Sequence, residues 1–415
     1  MMNKILYEKN NFYPWLICFS GLLILVVING LTTTSLSVFD KVFINEFHWK
    51  RDELKLRESI TNSVTLFFIL VSGIIIDKIR VKKMMLFGSF VLAVALFSYS
   101  FVTNKYQAYF IHFLLGLSMI TAGSVSCIIL VSSWFKEKKG LALGIVLIGT
   151  SLGSAIFSPF NHYLLCEFGW RQSFMILAAF PALILVYIYF VVENSPSDIS
   201  VKALGNENTT SNLLIEGMTY QEATRTHLFW LICLCGFITF YCLVGTIANV
   251  FLHLVGLGFT ETRASFYLSL YFIMAGLAKL FISIFSDYIN PYLVFSICCI
   301  MMMMGCFGLS MMNTQFIFPS IALMAISWGG IYSLYNLIAI KTFGLAAAGK
   351  INGTINMFEG GGSLLGPVMT GLVFSINHSY QLAFTINAGL MFIVLILSLR
   401  FKAFMLKLQK PISPQ

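Results

Sequence analysis

The chain has 415 residues, of which 58% are hydrophobic and only 10% are charged. Soluble domains carry about 25% charged residues, so this composition excludes an ordinary water-soluble domain and predicts a chain that lies mostly in a lipid bilayer. The formal net charge of +9 could suggest a nucleic-acid partner. Because the basic residues are spread over short connections between apolar segments, no nucleic-acid partner is expected.

Apolar segments of about 20 residues, the length that crosses the hydrocarbon core as a helix, recur twelve times. They predict an all-α membrane protein with twelve transmembrane helices. The first segment is too long for a signal-peptide core and is expected to be retained. The predicted segments are 14–38, 56–76, 83–103, 107–133, 139–160, 171–192, 228–250, 263–286, 291–312, 316–340, 351–375 and 380–401.

Lysine and arginine residues concentrate on one side of the predicted membrane. With both termini in the cytoplasm, the cytoplasmic parts hold roughly twice as many of these residues as the outer connections. This bias predicts an integral multi-pass protein with both termini cytoplasmic. The expected location is a bacterial inner (plasma) membrane.

One long polar connection, residues 193–227, divides the twelve segments into six and six. Its Pro, Ser, Asn and Asp residues predict a cytoplasmic linker, with a short surface helix before the seventh segment. The predicted domains are therefore an N-terminal six-helix bundle over 1–192, the linker over 193–227, and a C-terminal six-helix bundle over 228–415.

The two halves are predicted to be pseudo-symmetric copies of one unit. Asp77 ends the second segment and Asp287 ends the eighth, at an offset of 210. Since G-x-x-x-G spacing lets helix backbones approach closely, segments 139–160 and 351–375 are predicted to pack tightly at the interface between the halves. At an offset of 209, Gly140, Gly144 and Gly153 correspond to Gly349, Gly353 and Gly362.

Residues 73–83, "GIIIDKIRVKK", resemble the signature that follows the second helix of the major facilitator superfamily, G-x-x-x-D-R/K-x-G-R-R/K. Gly73, Asp77 and Lys78 occupy the matching positions. The resemblance implies that these residues, and Asp287 in the second copy, take part in the conformational change that opens and closes the transport path. It also implies two six-helix bundles that give alternating access.

Longer stretches resemble the oxalate/formate antiporter and monocarboxylate porter branch of this superfamily. The resemblance implies small organic anions as substrates, often monocarboxylates or dicarboxylates. It also implies either exchange of one anion for another or co-transport with a proton. The similar stretches are 42–54, 132–160, 169–174, 251–264 and 342–367.

Two charged residues lie deep inside predicted segments of the second half. Lys279 is eight residues before Asp287, about 12 Å from the cytoplasmic end of its helix, and Glu359 is nine residues after Lys350, about 13–14 Å from that end. A charge at mid-bilayer costs at least ~2.5–3.5 kcal/mol, so both side chains are expected to face the protein interior. By the resemblance, Lys279 stands where branch members carry an anion-binding arginine.

Lys279 and Glu359 together carry no net charge, which favours a monoanion with a proton, or a zwitterion, over a dianion as substrate. One hypothesis is that Lys279 binds the substrate carboxylate. In the empty site Glu359 pairs with Lys279. When substrate displaces Glu359 from the lysine, the carboxyl group takes a proton. The alternative is a fixed ion pair that only orders two helices.

Five further residues are candidate substrate contacts. Most share a helix face with another polar residue, while Trp328 lies mid-segment, where an indole ring can stack on a substrate. Packing between helices is the alternative for each. The candidates are Asn29, Thr33, Tyr271, Trp328 and Asn356.

Other functions find little support in the sequence. It contains no G-x-x-x-x-G-K-[ST], H-E-x-x-H or G-x-S-x-G motif, so no enzyme, cofactor or metal site is expected. Separately, the protein is expected to be a monomer. The alternatives are a carrier for amino acids, drugs or siderophores, or a non-transporting sensor. Asp40 with Lys41, and His112, are expected to be solvated near the outer ends of their segments.

Overall fold

The computed structural model describes residues 12–78, 80–135, 138–199, 217–344 and 347–408, and these are almost entirely helical. A helix satisfies all of its backbone hydrogen bonds internally, which is why long apolar segments adopt it in a bilayer. The first half of the chain forms α1 (Phe12–Thr32), α2 (Asp40–Phe47), α3 (Arg51–Lys78), α4 (Val81–Tyr99), α5 (Lys105–Ala122), α6 (Ser124–Trp134) and α7 (Lys139–Val191).

The second half begins with a short helix and continues with six long ones. The short helix confirms the surface helix predicted before the seventh segment; residues 200–216 of the predicted linker lie outside the described residues. The helices are α8 (Tyr220–Arg225), α9 (His227–Gly256), α10 (Glu261–Tyr288), α11 (Pro291–Ser310), α12 (Thr314–Phe343), α13 (Ala348–Asn377) and α14 (Gln381–Leu408).

Twelve membrane crossings account for these helices, as predicted. Nine stretches among the described residues are long and apolar enough to span a bilayer by length and composition. One of them, in α7, contains two crossings, because Gly169 adopts φ 72° and ψ 167° and breaks the helix. The 28-residue α3 and the 30-residue α13 complete the set with more polar sequences.

The helices form two six-helix bundles, and contacts within the chain define two compact units. Unit 1 comprises Met1–Trp49, Leu56–Asn212 and Thr260–Phe272, and unit 2 comprises Lys50–Lys55, Leu213–Phe259 and Ile273–Gln415. The start of α3 thus clusters with unit 2, and the start of α10 with unit 1. The predicted domain boundaries at residues 192 and 228 stay a prediction.

Two predicted segments are interrupted. The first segment is helical only to Thr32, after which a 3-10 helix and α2 follow. The fourth, predicted as one helix over 107–133, is divided into α5 and α6 at Gly123, whose φ of −83° and ψ of −152° are extended. The hydroxyl of Ser126 donates to the Thr121 carbonyl at 2.8 Å and satisfies one acceptor that the break leaves open.

Glycine pairs hold the first crossing to the fifth, and the seventh to the eleventh. A Cβ added to Gly153 of α7 would lie 2.8 Å from the nitrogen of Gly30 in α1. A Cβ added to Gly366 of α13 would lie 2.8 Å from the nitrogen of Gly245 in α9. Each contact lies inside one unit, so Gly153 and Gly366 pack within their own halves. That segments 139–160 and 351–375 also pack at the interface between the halves stays a prediction.

The matching contacts also correct the register of the repeat. Gly149 approaches the Leu22 carbonyl oxygen as Gly362 approaches the Phe237 carbonyl oxygen, and Gly153 approaches that of Val26 as Gly366 approaches that of Tyr241. Gly149 and Gly153 therefore correspond to Gly362 and Gly366, one helical turn later than the predicted offset of 209. The duplication stands, but Gly153 does not match Gly362.

A buried polar network fixes α2 to unit 1. Asp40 and Arg57 form an ion pair with both side chains almost completely buried. Arg57 donates to the Tyr99 hydroxyl at 2.8 Å, which contacts Nε2 of His112 at 3.2 Å. His112 Nδ1 lies 2.8 Å from the Thr61 hydroxyl. The expectation that Asp40 and His112 are solvated is therefore wrong.

Candidate functional site

Lys279 lies inside unit 2, between α10 and α12. Its Nζ is 4.6 Å from the centre of the Tyr332 ring, a cation–π contact. A lysine over an aromatic face is stabilised by about 0.5–2 kcal/mol, and the ring does not neutralise its charge. The lysine predicted from its depth in the bilayer therefore lies inside the protein, against an aromatic ring.

The backbone of α12 lies very close to α10 at this point. A Cβ added to Gly329 would lie 2.7 Å from the backbone nitrogen of Lys279 and would overlap the Ala275 carbonyl oxygen. Trp328, the residue before this glycine, is partly buried. The close contact brings Trp328 and Tyr332, which are one helical turn apart, to the part of α12 that faces Lys279.

Glu359 lies on α13 and faces α9. A Cβ added to Gly236 would be 3.2 Å from Glu359 Cγ and 3.9 Å from its Oε1. This Oε1 is buried and has no hydrogen-bond partner among the described residues. The same added Cβ would lie 3.6 Å from Cε1 of Tyr335, so Glu359 and Tyr335 approach the same point of α9.

Lys279 and Glu359 do not form an ion pair within the described structure. Tyr332 contacts the lysine with its ring, and Tyr335, one turn further along α12, lies near Glu359. The expectation that Glu359 neutralises Lys279 in the empty site does not hold here, and neither does the alternative of a fixed ion pair. The two charges lie near two neighbouring tyrosines of α12, Tyr332 and Tyr335.

Tyr332 and Tyr335 were not among the sequence candidates. Tyr335 is 2% exposed, and its hydroxyl is 3.3 Å from that of Thr239 on α9. Trp328, Tyr332 and Tyr335 follow one another at spacings of four and three residues, which place them on one helix face. This spacing was visible in the sequence and could have identified both tyrosines.

The other candidate contacts are divided between the units. Asn29 and Thr33 belong to unit 1, where the Thr33 hydroxyl donates to the Asn29 carbonyl at 2.6 Å and lies 3.1 Å from the Ser154 hydroxyl. These contacts tie the end of α1 to α7, as packing residues do. Tyr271 also clusters with unit 1 and is 1% exposed, whereas Asn356 is partly buried on α13 in unit 2.

The residues predicted to take part in gating stand on helices whose bounds are described. Gly73, Asp77 and Lys78 are in the last turns of α3, and Asp287 is in the last turn of α10. Their side chains lie outside the described part of the structure. The gating role of these four residues stays a prediction.

Comparison with known proteins identifies the family. The family model described as Major Facilitator Superfamily matches residues 22–367 and 257–411. These two matches together cover most of the chain.

Curated relatives resemble parts of the chain at low identity. The riboflavin transporter RibJ of Trypanosoma brucei brucei is 27% identical over 177 residues, 41% of this chain and 31% of that protein. Human monocarboxylate transporter 2 is 25% identical over 146 residues, 35% of this chain and 30% of its own. The matched stretch thus spans about a third of the length of these relatives.

Solved structures resemble nearly the whole chain. A bacterial homologue of the human lysosomal transporter Spinster matches with a TM-score of 0.70 and 13% identity, over 96% of this chain and 97% of that one. The nucleoside transporter NupG matches with a TM-score of 0.70 and 15% identity, over 94% of this chain and 98% of its own. At these identities the likeness concerns the fold.

Proposed function

The chain belongs to the Major Facilitator Superfamily, and from this premise we propose that it is a secondary transporter that moves a small organic anion, most readily a monocarboxylate, by alternating access. The observation that carries the proposal is the position of Lys279. Its charge is held by the Tyr332 ring inside unit 2 and is not neutralised by Glu359. A carboxylate that reaches Nζ gains a charge-assisted hydrogen bond.

Glu359 supplies the coupling in this proposal. An ionised carboxylate away from water is costly unless it is paired, and a bound proton removes that cost. In this proposal Glu359 takes up one proton when an anion binds at Lys279 and releases it on the other side when the anion leaves. Anion and proton then cross together without net charge. Exchange of one anion for another is the second mode of the same site.

A larger aromatic substrate is the main rival within this family. Trp328 and Tyr332 are one turn apart on α12, which suits stacking on a flat ring. Two trypanosome relatives are riboflavin transporters, at 27% identity each. Carriers of amino acids, drugs or siderophores, and a sensor that binds without transporting, are further rivals. In all of these Lys279 would have a lesser role.

The remaining parts of the proposal concern the whole protein. We place it in a bacterial inner membrane with both termini in the cytoplasm, as a monomer without cofactor or metal. Its two bundles, over residues 1–192 and 228–415, are joined by the linker 193–227 and rock about the substrate. Gly73, Asp77, Lys78 and Asp287 assist this motion at the cytoplasmic ends of their helices.

Uptake into proteoliposomes tests the function. The purified full chain is given radiolabelled lactate, pyruvate, formate, oxalate, an amino acid and riboflavin, each with and without an inward proton gradient. We expect a monocarboxylate to accumulate up to about tenfold per pH unit, the limit for one proton per anion. Accumulation of riboflavin alone would support the rival. Stoichiometric binding of a tested ligand, without flux of that ligand across the membrane, would support a sensor.

A further inference from the structure

A cavity of about 600 Å³ lies at one end of unit 1, where α4 ends and α5 begins. It is open to the surface of the protein. Because α4 and α5 are consecutive membrane crossings, their connection lies where the chain leaves the hydrocarbon and turns back. The polar lining residues are Ser98, Asn104 and Gln107, and the aromatic ones are Phe101, Tyr106 and Phe110.

The aromatic wall of this cavity continues along the outside of both helices. Phe101 and Phe110 are 59% and 62% exposed. Phe97, one turn deeper on α4, is 51% exposed and contacts Phe101 edge to face at 5.4 Å. On α5, Phe113 is 40% exposed and stacks on Phe110 at 6.3 Å. Two exposed aromatic pairs therefore lead from the cavity into the depth of the bilayer.

The polar mouth of the cavity offers hydrogen-bond donors. The Asn104 side-chain oxygen accepts from the Gln107 nitrogen at 3.1 Å and caps α5. The Gln107 side-chain oxygen accepts from the Thr103 nitrogen at 2.8 Å. Since both amide oxygens serve the backbone, the two amide NH₂ groups are the parts that can serve a ligand.

A positive charge stands beside these donors. Lys105 follows Asn104 directly, and its Nζ is 5.7 Å from the centre of the Tyr106 ring, which lines the cavity. No aspartate or glutamate is among the lining residues. The mouth thus offers hydrogen-bond donors with a lysine beside them, and the wall is apolar.

We propose that this cavity binds one phospholipid with an anionic headgroup. The phosphate is held by Lys105 and by the amide groups of Asn104 and Gln107. An acyl chain lies along the two pairs of phenylalanine rings. Polar mouth and apolar wall follow the order in which a bilayer presents headgroup and chain. The charge at the mouth selects an anionic over a zwitterionic headgroup, and this inference does not depend on the transported substrate.

Native mass spectrometry of the detergent-purified full chain tests the site. The protein is titrated with phosphatidylglycerol or with phosphatidylcholine of the same chain length, and the first bound lipid is counted. We expect Lys105→Gln to weaken binding of phosphatidylglycerol about fivefold, the factor for one cation near the surface, and to leave phosphatidylcholine unchanged. The double variant Phe101→Ala/Phe110→Ala should weaken both lipids.

Two control variants separate a built site from the general lipid shell. Lys83→Gln removes an exposed cation at the other end of α4, and Phe190→Ala removes a ring that is 62% exposed on α7. Both should bind the first phosphatidylglycerol as the wild type does. Equal losses in the controls, or wild-type binding by Lys105→Gln, would overturn the proposal. Elution as a single species with an unchanged melting temperature shows that each variant is folded.

Discussion

Lys279 and Glu359 are charged residues deep in unit 2, and the structure places them near two tyrosines of α12 that are one helical turn apart. Lys279 lies over the Tyr332 ring, and Glu359 approaches the same point of α9 as the Tyr335 ring. Had the two charges formed an ion pair, a substrate anion would have had to break it first. Without that pair, a substrate carboxylate can approach Lys279 without first displacing Glu359.

Glu359→Gln tests the proton role at the scale of one residue. The amide resembles the protonated carboxyl group in shape but cannot release a proton. We expect accumulation driven by a proton gradient to disappear, while exchange of labelled for unlabelled anion continues at a rate close to that of the wild type. The measurement is uptake and counterflow in the same proteoliposome preparation.

Glu222→Gln is the matched control for that variant. Glu222 lies on α8 outside the membrane-spanning helices, and hydrogen bonds from the backbone and hydroxyl of Thr219 lower its pKa. It therefore stays ionised across the assay range, and its removal should leave the gradient response intact. Persistence of gradient-driven accumulation in Glu359→Gln would show that another group carries the proton.

The positions of Lys279 and Glu359 could be predicted from the sequence, but their contacts could not. Depth along a helix located Lys279 and Glu359, because a lone charge in a bilayer must face the interior. It could not show whether they touch, since the contact depends on how α10, α12 and α13 pack. Thr33 has contacts typical of helix packing, which was the alternative considered for it.

At the scale of elements, the short helix α2 is held by charge rather than by apolar packing alone. Its first residue, Asp40, pairs with Arg57 of α3 in a fully buried position. Its next residue, Lys41, forms an ion pair with Glu261 at 2.6 Å, and those side chains are 42% and 27% exposed. Two consecutive residues thus make a buried and a partly exposed pair, which allows a direct comparison.

Asp40→Asn should be far more destabilising than Lys41→Gln. Breaking a buried pair leaves an uncompensated charge and costs about 3–5 kcal/mol, whereas an exposed pair is worth about 0–1 kcal/mol. The measurement is the apparent melting temperature of each variant in one detergent. Similar melting temperatures for the two variants would show that the Asp40–Arg57 pair does not hold α2.

The ends of a helix were predictable where the length of the apolar segment sets them. They were not predictable where the backbone conformation of one residue breaks the helix. The ends of α9 to α14 lie within a few residues of the predicted segments, except that α9 and α14 extend further at their C-terminal ends. The breaks at Thr32 and Gly123 fall at short runs of small and polar residues, which the average hydropathy of a whole segment does not distinguish. The repeat was assigned one turn too early because several glycines of α7 and α13 fit the same spacing.

At the scale of the whole molecule, the requirements of the bilayer allow the number of membrane helices to be predicted from the sequence. Each crossing needs about 20 apolar residues and must satisfy its own backbone hydrogen bonds, so hydropathy predicts twelve helices. Resemblance to a superfamily signature then gave the family, which the family model confirms over most of the chain. Substrate and coupling could not be predicted to the same degree, because they depend on a few side chains within a widely shared fold.

The measurement that tests the account most directly is anion affinity in wild type, Lys279→Gln and Lys279→Arg, from the concentration dependence of uptake and exchange of the transported anion. Loss of a charge-assisted hydrogen bond of about 1.5–3 kcal/mol predicts roughly 10- to 100-fold weaker binding in Lys279→Gln. Lys279→Arg should retain part of the affinity, and Lys341→Gln, which removes an exposed lysine at the end of α12, should retain all of it. A folded Lys279→Gln protein with wild-type affinity would contradict the assignment of Lys279 as the anion site.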